Sequence, residues 1–183
     1  MGMDFVELIL ATEEAFDIEI PDDEARHLET VRQLADYVAQ RVPLQSERKC
    51  RTQRSFYRVR QVLARLQTPR TRVTPMTDLY ALKPVLAHPE VWPLVGTALG
   101  ATEWPNLPRA YAWRKLTPAT SLPYGLRTPG EVARHVATCQ LERPTGPWTR
   151  EEVLLRVRQL VMETLEETSF PDDAHFVHDL GVD

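Results

Sequence analysis

Charge is laid out along this chain in three blocks, and that layout limits how it can fold. Residues 1–43 carry 11 acidic and 3 basic side chains, residues 44–143 carry 6 and 16, and residues 144–183 carry 9 and 3. The overall net charge of -4 hides this partition. The two end blocks share one sign and the middle has the other. End segments that fold together would give an acidic domain beside a basic one. Apolar residues in all three blocks recur at helical spacing, which argues for an all-α fold.

Composition bounds the rest. The 183 residues suffice for one or two compact domains, and 43% hydrophobic residues suit a globular chain. No apolar run approaches the roughly 20 residues that span a bilayer, so no membrane association is expected. The first residues lack a basic stretch followed by an apolar core, so no secretory signal is read. Cys50 and Cys139 do not make a disulfide framework. Two reduced thiols in a cytoplasmic protein are expected, with a single bridge left open.

Helical patterns then divide the chain. Phe5, Val6, Leu8, Ile9, Ala11 and Phe16 predict a helix over residues 4–16. Asp17-Ile18-Glu19-Ile20-Pro21 ends that pattern. Thr30 is the expected cap of a short helix bearing Val31, Leu34, Ala35 and Val38. Thr149, with an acid-rich first turn at Glu151 and Glu152, opens a helix with Val153, Leu154, Val157, Leu160, Val161 and Leu165 as its stripe. Ser169 to Asp179 reads as an ordered loop. Pro43–Ser46 and Pro144–Pro147 read as linkers.

The middle block repeats the plan of the ends. Arg58-Val59-Arg60-Gln61 matches Arg156-Val157-Arg158-Gln159, and each leads 24 positions from its first arginine to a leucine, Leu82 or Leu180. Thr128 to Ala137 matches Thr30 to Ala39. Val91 to Pro105 stands where Val6 to Pro21 stands. A second, diverged helical unit is therefore expected at 44–143, with residues 100–127 rich in proline and without a clear period.

Set end to end, the last and first segments resemble an acyl carrier protein. Asp179-Leu180-Gly181-Val182-Asp183 matches the approach to the family's prosthetic-group serine. Met3-Asp4-Phe5-Val6-Glu7-Leu8 matches the helix after it, Glu13 to Asp23 its exit, and Thr30-Val31-Arg32-Gln33-Leu34 the start of the last helix. The resemblance covers roughly residues 149–183 and 3–42. It implies an acyl-carrier-like four-helix bundle built from both termini (residues 1–43 with 148–183), beside a second small, carrier-like helical domain at 44–143. It also implies the tethering of acyl intermediates on 4'-phosphopantetheine in fatty-acid or polyketide-type synthesis. Phosphopantetheinyl transferase and acyl-processing enzymes would be the partners.

The chain departs from the family at the attachment atom. Gly2 occupies the serine position next to Asp183, and glycine has no hydroxyl to esterify. None of Ser46, Ser55, Ser121 and Ser169 stands in the family's motif. As written, no 4'-phosphopantetheine is attachable there. Two origins stay open: a carrier circularly permuted at the serine, which the match of the halves favours, and a window on a tandem array. A non-carrying interaction module with a carrier-type fold is the alternative function.

Other candidate sites carry less. By resemblance, Asp4, Glu7, Glu13 and Glu14 form the partner-recognition face. Phe5, Leu8, Ile9, Leu34, Val38, Val157, Leu160 and Val161 are candidates to line an acyl cavity, and equally plain core. His175 and His178 with Asp172, Asp173 and Asp179 read as polar loop residues rather than a metal site. No catalytic arrangement, phosphate loop or nucleophile elbow is found, so no enzyme activity is expected. The basic middle (Arg48, Lys49, Arg51, Arg54, Arg58 and Arg60 above all) is expected to dock on the acidic domain of the same chain rather than on nucleic acid. Pairing of the terminal halves across two chains, as a swapped dimer, stays open.

Overall fold

A computed structural model describes residues 2–46, 50–66, 72–82, 86, 88–108, 122–141 and 147–182. Asp183, Arg48, Lys49, Ser121 and Trp113 lie outside the described residues. Among those described, the chain is all-α: seven helices, a single 3-10 turn and no named strand. In order they are α1 (Met3–Phe16), α2 (Asp22–Ala25), α3 (Val31–Arg41), α4 (Arg51–Leu66), the 3-10 turn (Leu79–Leu82), α5 (Val91–Leu99), α6 (Pro129–Cys139) and α7 (Arg150–Leu165).

The chain divides into two compact units. One joins Met1–Cys50 to Leu141–Asp183, and the other is Arg51–Gln140. The first holds 22 acidic and 9 basic residues, and the second 4 and 13.

In the acidic unit, α7 packs against both α1 and α3. Leu8, Ile9, Leu34, Val38, Val157, Leu160 and Val161 on these helices are buried. Leu155, rather than Leu154, completes the buried stripe of α7. Val6, grouped with the apolar stripe of α1 by spacing, is on the outside instead. It follows Phe5 directly, and one residue of helix turns the side chain about 100° away from the core. Among the described residues, three reciprocal caps start helices. Thr30 with Gln33, Thr128 with Glu131, and Thr149 with Glu152 each exchange side-chain and backbone hydrogen bonds. Each satisfies two backbone N–H groups that the helix cannot.

The loop after α7 is fixed by charge as well as apolar packing. Arg158, on α7, donates to Asp172 Oδ1 at 2.8 Å and to the Phe170 carbonyl at 2.9 Å. Arg32 donates to the other oxygen of Asp172 at 2.9 Å. Arg158 and Asp172 are both 2% exposed, so each charge depends on the other for solvation it has lost. The segment read as a linker is paired: Leu44 bridges Trp148, and Gln45 N–H donates to the Trp148 carbonyl at 2.8 Å.

The basic unit repeats these contacts. There α4 packs against α6 and α5. α4 and α7 each have 16 residues, and α3 and α6 each have 11. In the acidic unit, Arg32 N–H donates to the Asp172 carbonyl and Phe176 N–H to the Glu29 carbonyl. In the basic unit, Gly130 N–H donates to the Pro75 carbonyl and Leu79 N–H to the Arg127 carbonyl. The spacing within each strand of the pattern is identical, and Phe176 and Leu79 are both buried. Gly130 allows this close approach, since a Cβ there would sit 2.9 Å from the Pro75 oxygen.

Candidate functional site

The site of interest is where α1 meets the loop that follows α7. Gly2 is the N-cap of α1, with extended backbone and no side chain to cap it. Its carbonyl accepts from Val6 N–H at 3.3 Å. The approaching loop is held locally. Asp179 N–H donates to the His175 carbonyl, and Asp179 Oδ2 accepts from His175 N–H, both at 2.9 Å. Gly181 turns the chain with φ of +69°, and Val182 N–H then donates to the Phe176 carbonyl at 3.0 Å. Phe176 and Phe5 close the junction with ring centroids 5.4 Å apart. Asp183, paired with Gly2 in the sequence reading, is outside the described residues.

A cavity of about 300 Å³ opens beside this junction. Phe5, Ala25, Leu28, Phe176, Val177 and Val182 give it apolar walls, and Arg26, Glu29 and His175 supply the polar groups. Of the eight residues named from the sequence as cavity candidates, Phe5 alone lines it. The other seven are buried in the hydrophobic core and are not among its lining residues. The walls come instead from α2 and two loops. Ala25 and Leu28 could have been found from the apolar residues after Pro21, but a helix of four residues leaves too short a period to read.

The outer face of α1 combines apolar and acidic residues. Met3 is 89% exposed, Val6 40% and Leu10 58%. Asp4, Glu7 and Glu14 are exposed around them. Glu13 differs from the other three, because its Oε1 accepts from Ile20 N–H at 2.6 Å and so ties down the exit of α1. No basic residue interrupts the helix.

The histidine loop is engaged with itself. The rings of His175 and His178 lie with centroids 4.4 Å apart and planes inclined at 41°, and His175 Nε2 lies 3.9 Å from Glu29 Oε2. Asp172 faces Arg158 and Arg32 rather than the histidines. Among the described residues no group of three or more His, Cys, Asp or Glu side chains could hold a metal ion. Ser55 and Ser169 are buried. No helix among the described residues is long and apolar enough to cross a membrane.

A stretch of 38 residues is 53% identical to an acyl carrier protein of Syntrophobacter fumaroxidans, covering 21% of this chain and 47% of that protein. The chain carries an acyl-carrier-like region. A stretch of 41 residues is also 50% identical to an acyl carrier protein of Guillardia theta, covering 22% of this chain and 51% of that one. The chain thus spans about half the length of the curated relatives it matches in the acyl-carrier-like region. No family model and no solved structure matches the chain.

Proposed function

We propose that the acidic unit is an acyl-carrier bundle whose segments run in permuted order, with α7 standing before α1 in the parent arrangement. The observation that carries this reading is the Phe5–Phe176 contact beside Gly2. It supports setting the Asp179-Leu180-Gly181-Val182 approach before the start of α1, where the family's serine would stand. Parent carriers of this type tether acyl intermediates through 4'-phosphopantetheine in fatty-acid or polyketide-type synthesis. A phosphopantetheinyl transferase loads them, and acyl-processing enzymes would read Asp4, Glu7 and Glu14 together with Met3, Val6 and Leu10. Charge at such a face speeds encounter more than it fixes affinity. The cavity walled by Phe5 and Phe176 suits an apolar chain attached one turn away.

Gly2 does not fit the prosthetic group, because no hydroxyl is present to form the phosphodiester. That observation favours a second reading for the chain in its present sequence, an interaction module that keeps the carrier's binding face without the tether. The repeated pair of loop-to-helix hydrogen bonds supports reading the basic unit as a diverged copy of the same bundle.

The test is Gly2→Ser, incubated with coenzyme A and a transferase of broad specificity, and weighed intact. Gain of one phosphopantetheinyl group by the serine variant, with none on the Gly2 chain, is the expected result. A folded serine variant that gains no mass refutes the carrier assignment.

A further inference from the structure

We propose that the outward face of α4 docks onto the outer face of α1 on a second copy of this chain. Ser55, Val59 and Leu63 are the buried positions of α4. The opposite face presents Arg54, Arg58, Gln61 and Arg65, all exposed and spaced by four, three and four residues. Tyr57, 52% exposed, stands next to this stripe. Arg58 also donates to Gln140 Oε1 at 3.4 Å. No acidic residue occurs in α4 to offset the arginines. Like charges one helical turn apart weaken a helix, so the arrangement costs stability unless something acidic covers it.

The outer face of α1 has the matching features. It places Met3, Val6 and Leu10 in an exposed row, with Glu14 and Glu7 along one side of it and Asp4 further round the helix. Met3 to Glu14 and Arg54 to Arg65 are runs of equal length, each about 16 Å at the rise of an α-helix. Guanidinium groups pair well with carboxylates, and their aliphatic stems with Tyr57 can cover the apolar row. An exposed apolar row with charge along its edge marks a docking surface. RNA would satisfy the arginines but not Met3, Val6 and Leu10, and the 22 acidic residues of the other unit would repel it. The inference stands on charge and exposure and does not depend on the carrier reading.

Sedimentation of the full chain across a concentration series tests it. The chain should associate reversibly, and raising salt from about 50 mM to about 500 mM should weaken association at least about tenfold. Arg54→Glu with Arg65→Glu, or Glu7→Arg with Glu14→Arg, should each weaken it by a similar factor. All four changes together restore complementary charge and should recover association to within about threefold. A monomer mass at every concentration overturns the proposal. So does association that ignores salt and the paired reversals, or a four-fold variant that stays as weak as its parents. Binding of a fluorescent single-stranded RNA by a chain that remains monomeric also overturns it.

Discussion

Phe5 on α1 and Phe176 in the loop after α7 pack with ring centroids 5.4 Å apart and planes inclined at 60°. Their contact joins segments from opposite ends of the sequence. Both rings are buried, and both also wall the cavity. Phe176→Ala should cost the acidic unit about 3–5 kcal/mol, the usual loss when a buried aromatic ring is deleted. Urea titration followed by circular dichroism measures it. A cost under about 1 kcal/mol would show that the ring contact contributes little.

Asp172 should be as sensitive for a different reason. Asp172→Ala leaves Arg158 buried, charged and without its carboxylate, which costs about 3–5 kcal/mol in buried pairs. Arg32→Ala removes the partner that is 52% exposed, and should cost about 1 kcal/mol or less. Comparing the two melts separates the buried arm of the network from the solvated one.

The basic unit has its own tight point. A Cβ at Gly96 would fall 2.4 Å from the Trp104 ring. Trp104 is held there by its Nε1–H bond to the Trp92 carbonyl at 3.0 Å, and Trp92 in turn donates to the Pro105 carbonyl. Gly96→Ala should force the indole out and destabilise this unit by about 1–3 kcal/mol, the cost of overpacking. A shift in tryptophan fluorescence should accompany the loss.

One carboxylate gives a pH-dependent prediction. Burial pushes the Glu167 carboxyl above its usual value of 4.5. The folded chain therefore holds this proton more tightly than the unfolded one. That stabilisation is full below the unfolded pKa and is lost as pH rises through the folded one. Glu167→Gln should raise Tm slightly at neutral pH, and the difference should vanish below about pH 4. Thermal scans of the two chains across that range check it.

The helices were legible because their signals are local. Thr30, Thr128 and Thr149 each stand three residues before a Gln or Glu, and each becomes a reciprocal cap. The repeat expected from Arg58-Val59-Arg60-Gln61 and its counterpart has a parallel in the paired hydrogen bonds of Gly130 and Leu79. The Arg158–Asp172 pair was not legible, since a loop rather than a helical period sets its spacing. The lining of the cavity was not legible for the same reason: Ala25, Leu28 and Val182 are on short or irregular segments. The outer row of α1 was partly hidden because Val6 directly follows Phe5, and only its rotation about the helix axis separates it from the buried stripe.

The central claim is that the two end segments form one bundle whose parent order is reversed here. A chain reordered as residues 147–183, then serine, then residues 3–46 removes the basic unit and restores that order. Its thermal unfolding by circular dichroism should be a single cooperative transition from a helical state. A reordered chain that shows no helical signal and no transition would contradict the account.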